Sequence, residues 1–77
     1  MTRRRQPLEL ALSENLKRLR RDNRLTEESM AKHAGLTVHA YREIEEERYM
    51  PTIAVLVRLA RALRCKLDDL IPIDEVD

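Results

Sequence analysis

The chain contains a single glycine, Gly35, which lies between two short stretches with helical spacing. The stretch before it places Met30, Ala31 and Ala34 on one face, and the stretch after it begins with Thr37. Glycine often ends a helix because it adopts the left-handed backbone conformation without a steric penalty. Threonine often begins one, because its hydroxyl accepts a hydrogen bond from a backbone amide. This pattern predicts two helices joined by a tight turn, which is the spacing of a helix-turn-helix unit.

Apolar residues at intervals of three and four predict three further helices, one before this unit and two after it. The first follows Pro7, which suits the first turn of a helix, and ends near Asp22. Thr26 is placed to cap the second helix, Pro51 ends the region of the third, and Thr52 is placed to cap a fourth. A last helical turn or two precedes the C-terminal tail. The apolar residues that set this spacing are Leu8, Leu12, Leu16, Leu19, Tyr41, Ile44, Ile53, Leu56, Val57, Ala60, Leu63, Leu67, Leu70 and Ile71.

The composition agrees with a compact all-α domain of five short helices. Apolar residues make up 43 % of the 77 residues, and the chain has no Phe and no Trp. A β-sandwich would need more turn residues and more aromatic residues. We predict a flexible basic arm at residues 1–7, a helix-turn-helix domain at 8–71 and a short acidic tail at 72–77. The helix-turn-helix unit itself is expected at about 26–46, in helices two and three.

The charge is balanced overall but unevenly distributed along the chain. The net charge is +1, yet residues 1–24 carry eight Arg and Lys against three acidic residues, and residues 25–51 carry three against six. The basic end favours an anionic partner such as nucleic acid, but the acidic middle means that charge alone does not establish one. The arginines of the N-terminal arm either form a solvated start or contact the DNA minor groove and phosphates. They are Arg3, Arg4 and Arg5.

The remaining features exclude several classes of protein. No apolar run approaches the ~20 residues of a membrane span, and no apolar segment follows the basic N-terminus as in a secretory signal. One cysteine, Cys65, makes no internal disulfide, so we expect a cytoplasmic protein that associates with the nucleoid when it binds DNA. His33, His39 and Cys65 lack the spacing of metal ligands, and no cofactor is expected. No catalytic motif is present, and an enzyme is not predicted.

These features resemble the helix-turn-helix domains of the lambda-repressor/Cro and xenobiotic-response-element type. The resemblance runs from about Leu16 to Ile71, and it depends on the order and spacing of several short stretches. It implies that the third helix lies in the major groove and that the domain binds palindromic double-stranded DNA as a homodimer. It further implies a transcription regulator, most simply a repressor. The matching stretches are LKRLR (16–20), LTEESMAKHAGL (25–36), YREIE (41–45), Pro51-Thr52 and LARALRCKLDDLI (59–71).

The same resemblance implies a role for individual residues. Arg20 and Glu45 match positions that often form an ion pair between the first and third helices, which would turn one of three consecutive carboxylates inward. The residues implied to contact base edges are Val38, His39, Arg42 and Glu43. Those implied to lie near phosphates are Thr26, Lys32, Thr37, Arg48 and Tyr49, together with the arginines of the arm. Those implied to form the core are Met30, Ala31, Leu36, Tyr41 and Ile44.

The chain also departs from the family at positions that bear on DNA binding. Relatives often have Gln where this chain has Glu27, and often have glycine where it has Arg24, Glu47 and Arg64. A carboxylate cannot donate a hydrogen bond to a phosphate, so Glu27 and Glu47 are expected to oppose contact with the DNA backbone. This favours an alternative function on the same fold, namely a protein-interaction or antitoxin-like module with a protein partner.

The apolar residues at the C-terminal end allow two interpretations. Leu67, Leu70 and Ile71 are core in one interpretation, and Ile73 and Val76 then belong to a frayed tail. In the other, these residues form a dimer surface, which would suit a palindromic DNA site.

Overall fold

The computed structural model describes residues 7–72, and this range contains five α-helices and no strand. The helices are α1 (Leu8–Asp22), α2 (Glu27–Ala34), α3 (Val38–Glu45), α4 (Ile53–Leu63) and α5 (Leu67–Leu70). The predicted all-α fold of five helices is therefore confirmed. Arg3, Arg4, Arg5, Ile73 and Val76, on which other predictions depend, lie outside the described residues. No helix in the described range is long and apolar enough to cross a membrane.

The predicted start and stop residues bound the helices as expected. The hydroxyl oxygens of Thr26, Thr37 and Thr52 accept hydrogen bonds of 3.0, 3.1 and 3.3 Å from the backbone amides three residues later. Such a cap typically contributes about 1 kcal/mol to stability. Gly35 ends α2 with a φ of +71°, and its amide donates to the carbonyl of Lys32. The cap and the glycine together turn the chain from α2 into α3 within three residues.

The core lies where the apolar faces of α1, α2, α3 and α4 meet, and α5 closes one end of it against α1 and α4. Ile53 departs from the predicted apolar face of α4, since it is 63 % exposed. It is the first residue of the helix and lies at the surface beside the cap, where the core does not reach it. The buried apolar residues include Leu12, Leu16, Met30, Ala31, Ala34, Tyr41, Ile44, Leu56, Leu59, Ala60, Leu63 and Leu70.

Among residues 7–72, three residues other than glycine adopt the left-handed backbone conformation, and each follows a helix. Arg24, Glu47 and Arg64 have φ values of +56°, +64° and +54°. These are the positions at which glycine is frequent in the resembling domains. A left-handed conformation costs a residue with a Cβ about 1–2 kcal/mol. These three helix ends therefore adopt a conformation that glycine reaches most easily, although each carries a residue with a Cβ.

Replacing Glu47 with glycine tests this strain. Glu47→Gly relieves about 1–2 kcal/mol of steric cost, offset by about 0.5–1 kcal/mol of added freedom in the unfolded chain, so the free energy of unfolding should rise by up to about 1.5 kcal/mol. Glu46→Gly is the matched control, because it removes the same charge at a residue with an ordinary φ of −97°. Thermal unfolding should give a higher Tm for Glu47→Gly than for Glu46→Gly. The reverse order would contradict this account.

Candidate nucleic-acid interface

A buried ion pair joins α1 to α3. Arg20 Nε lies 2.7 Å from Glu45 Oε2, and Arg20 Nη2 lies 3.3 Å from Oε1, so the contact is bidentate. The side chains are only 14 % and 5 % exposed. The hydrogen bond to Glu45 is the main cause that raises the pKa of Arg20. The predicted pair is formed, and it turns the carboxylate of Glu45 away from the surface.

Two hydroxyl groups complete what we call the Glu45 cluster, formed by Ser13, Arg20, Tyr41 and Glu45. The Tyr41 hydroxyl donates a hydrogen bond to Glu45 Oε2, and Ser13 Oγ donates to the backbone carbonyl of Glu45 at 2.5 Å. Burial is the main cause that raises the pKa of Tyr41, and the bond to Glu45 adds to it. The sequence predicted Tyr41 as core but did not predict Ser13, which is fully buried. The four-residue spacing of Tyr41 and Glu45 indicates from the sequence that both side chains lie on one face of a helix. Ser13 is 32 residues from Glu45, so no spacing in the sequence indicates that the two meet.

The Glu45 cluster determines which face of α3 meets solvent. His39 and Arg42 lie on the outer face, with side chains 84 % and 47 % exposed. Val38 and Glu43 are half-buried at its edges, and Val38 packs against the core. The four residues predicted to contact bases therefore lie on or beside one face of α3. The exposed side chains on this face are therefore accessible to a binding partner.

The two arginines on and next to this face, Arg42 and Arg48, are each paired with a carboxylate. Arg42 Nε lies 3.2 Å from Glu27 Oε1, and its Nη2 lies 3.6 Å from Glu28 Oε2. The other two pairs join residues close in sequence. They are His39 Nε2 with Glu43 Oε1 at 3.2 Å and Arg48 Nε with Glu46 Oε1 at 3.7 Å. Glu27 and Glu28 belong to α2, so the exposed face combines both helices of the helix-turn-helix unit.

The residues predicted near phosphates surround this face. Thr26 and Thr37 are exposed at the starts of α2 and α3, where unpaired backbone amides and the helix dipole favour an anion. Lys32, Arg48 and Tyr49 are also exposed, and Tyr49 is 45 % exposed. These groups supply the donors and positive charges that a phosphate backbone requires.

A second basic region lies at the ends of three helices. An open cleft of about 630 Å³ is found where α1, α2 and α4 end. Basic side chains are favoured at helix C-termini because they complement the negative end of the helix dipole. One of them, Arg58, donates from Nη1 to the last carbonyl of α2, that of Ala34, at 3.5 Å. Arg58 thus stabilises the C-terminal end of α2. The cleft is lined by Asn23, Leu25, His33, Arg58, Arg61, Ala62 and Arg64.

The other candidate groups do not come together. Within residues 7–72, no group of three His, Cys, Asp or Glu side chains is placed to hold a metal ion. Burial raises the pKa of the Cys65 thiol, and the carboxylates of Asp69 and Asp68 raise it further. A raised pKa keeps the thiol protonated and unreactive. Cys65 is half-buried and packs against the core as a small apolar side chain.

Comparison with known proteins adds the following findings. The helix-turn-helix family HTH_3 matches residues 16–70. The restriction-modification controller protein C.AhdI from Aeromonas hydrophila superposes with a TM-score of 0.77 at 22 % identity, covering 82 % of this chain and 96 % of that one. The clp gene regulator ClgR from Corynebacterium glutamicum superposes with a TM-score of 0.80 at 23 % identity, covering 84 % and 69 %. No curated protein matched the chain.

Removing the side chain of Arg20 should destabilise the domain far more than removing that of the next residue, Arg21. Arg20→Ala leaves the buried carboxylate of Glu45 without its cation, at a cost of about 3–5 kcal/mol. Arg21→Ala is the matched control, because Arg21 is exposed and such substitutions usually stay within about 0.5 kcal/mol. Urea unfolding measures both. Equal midpoints for the two variants would contradict the structural role of Arg20.

The two tyrosines should differ in their effect on alkaline unfolding. The folded pKa of Tyr41 lies above the ordinary value of 10.0, so its contribution to stability is complete below pH 10 and is lost as the pH rises further. The free energy of unfolding should fall by about 1.4 kcal/mol per pH unit from this group. Tyr41→Phe should flatten the profile above pH 10, and Tyr49→Phe should not. Identical slopes in chemical unfolding would contradict this prediction.

Proposed function

Because the chain belongs to the helix-turn-helix family HTH_3, we propose that it is a transcription regulator that binds double-stranded DNA. In this proposal it binds a specific palindromic site as a homodimer and represses transcription there. The observation that carries the proposal is the orientation of α3. The Glu45 cluster holds one side of this helix in the core, and the opposite side presents polar side chains to solvent.

Phosphate contacts would set the register of α3 in the major groove. The exposed starts of α2 and α3, at Thr26 and Thr37, offer backbone amides that bind phosphate oxygens without regard to sequence. Lys32, Arg48 and Tyr49 would extend this contact along the backbone, and Arg3, Arg4 and Arg5 would add further positive charge. Such contacts position the protein but do not discriminate between bases.

Base contacts would come from the outer face of α3. Arg42 is suited to guanine, because its guanidinium donates two parallel hydrogen bonds to O6 and N7. Glu43 is suited to accept from cytosine N4, and Val38 to contact a thymine methyl group. His39 donates or accepts according to its protonation state. Glu43 Oε1 lies 3.2 Å from His39 Nε2, so Oε2 of Glu43 would be the acceptor for cytosine.

A homodimer would place two copies of α3 in successive major grooves of a palindromic site. It is supported by apolar side chains that one copy leaves uncovered or only partly covered. Ile53 is 63 % exposed, and Leu67 and Ile71 in the last helical region are half-buried. A second copy is a suitable cover for these groups.

One observation favours a second candidate function. Arg42 and Arg48, on and next to the outer face of α3, each have a carboxylate partner, so they attract phosphate less than unpaired arginines would. A face of this kind also suits a polar protein surface. The alternative is therefore a protein-interaction or antitoxin-like module that uses the same fold and binds DNA weakly.

Fluorescence anisotropy separates the two functions. The protein is titrated into a randomised duplex pool and into DNA from upstream of its own gene, at low and near-physiological salt. We expect tighter binding to the upstream DNA, with an affinity that falls with salt in proportion to the number of phosphates neutralised. No binding to either duplex at low salt would reject the DNA-binding proposal and favour the protein-interaction module.

The variant Arg42→Ala tests the base contact within the same assay. Loss of a bidentate contact to guanine should weaken binding to the specific site by about 1–3 kcal/mol. Binding to the randomised pool should fall only as far as for Arg61→Ala, the control, which removes the same charge from the exposed end of α4. An equal loss on both duplexes would show that Arg42 contacts phosphate and not a base.

A further inference from the structure

We propose that Glu27 is a positioning residue that holds the guanidinium of Arg42 in the orientation needed to recognise guanine. This inference rests on the proposed DNA-binding function and adds a determinant of specificity from the neighbouring helix. It concerns a residue that would otherwise only oppose DNA binding, because its carboxylate repels phosphate and cannot donate to it.

The position of Glu27 makes it a defined anchor. It is the first residue of α2, directly after the Thr26 cap, where a carboxylate is favoured by the positive end of the helix dipole. Its side chain is 30 % exposed and reaches across to α3, where Oε1 accepts a hydrogen bond of 3.2 Å from Arg42 Nε. The capped starts of both helices hold the two backbones in place, so the contact constrains a long side chain that is otherwise free to rotate.

The geometry of the contact leaves the useful edge of Arg42 available. A guanidinium has five N–H donors, and Glu27 accepts from the one nearest the side-chain stem. The two terminal nitrogens remain, and their N–H groups can donate two parallel hydrogen bonds to guanine O6 and N7. Glu28 lies 3.6 Å from Nη2, beyond hydrogen-bonding distance, and its side chain is 68 % exposed. Glu27 is therefore the orienting partner, and Glu28 contributes charge alone.

The test compares Glu27→Ala with Glu28→Ala. Both variants remove one carboxylate from the same helical turn, so both should raise affinity for a randomised duplex by a similar factor. Discrimination is measured on a duplex selected by the unmodified protein, against versions in which each guanine is replaced by adenine or by 7-deazaguanine, which lacks the N7 acceptor. At the guanine read by Arg42, Glu27→Ala should reduce the discrimination ratio roughly tenfold, whereas Glu28→Ala should leave it unchanged. Glu27→Gln should keep part of the ratio, because its amide oxygen still accepts from Nε.

A double-mutant comparison distinguishes positioning from a general structural effect. In an Arg42→Ala background, Glu27→Ala should have no further effect on discrimination at that guanine, because the side chain that it orients is gone. An unchanged ratio for Glu27→Ala, where Arg42→Ala alone reduces it, would overturn the inference and leave the proposed function standing. An unchanged ratio for Arg42→Ala, or no DNA binding by the unmodified protein, would overturn the proposed readout and this inference with it.

Discussion

The carboxylate of Glu45 is the group on which the arrangement of α1 and α3 depends. A buried charge is unfavourable by several kcal/mol unless charged and hydrogen-bonding partners surround it. Here Arg20 provides a bidentate partner from α1 and Tyr41 provides a hydroxyl from α3 itself. Ser13 adds a bond from α1 to the backbone of the same residue. Because successive residues are about 100° apart on a helix, holding Glu45 inward directs His39 and Glu43 toward the other side of α3 and leaves Arg42 between the two sides. The Glu45 cluster therefore both stabilises the packing of α1 against α3 and determines which face of α3 is exposed.

The acidic end of α3 does not form a single negative surface, because neighbouring carboxylates have different surroundings. Glu45 is buried with Arg20, and Glu46 lies 3.7 Å from Arg48. On the adjacent helix α2, the carboxylate of Glu27 is likewise paired with an arginine, Arg42. Each surface pair is worth little in stability, since exposed ion pairs typically contribute about 0–1 kcal/mol. Their larger effect is on attraction at a distance, because a cation already paired with a carboxylate adds little to the field that draws in a phosphate backbone.

The sequence predicted the features of this fold that depend on local chemistry. The caps at Thr26 and Thr37 and the left-handed Gly35 follow from residues near one another in the chain, and the structure has all three. The Arg20–Glu45 pair was predicted only because the family resemblance aligned both positions. The Arg42–Glu27 contact was not predicted, because it joins long side chains fifteen residues apart whose meeting depends on how α2 packs against α3. Ser13 was missed for the same reason, since no local pattern distinguishes a buried serine from a solvated one.

The stability of the fold helps to explain the charged residues that follow two of the helices, but it does not explain Glu47. Arg24 and Arg64 share its left-handed backbone, but as cations after helix C-termini they gain from the helix dipole. Glu47 has the opposite charge at the same kind of position, so both its backbone and its charge oppose folding. The stability of one chain therefore does not explain this residue. Its carboxylate lies just beyond α3, where it lowers attraction for phosphate in the same sense as Glu27 and Glu46. In the proposed DNA complex, such a surface would depend less on the DNA backbone, and correspondingly more on base contacts from α3, for its affinity.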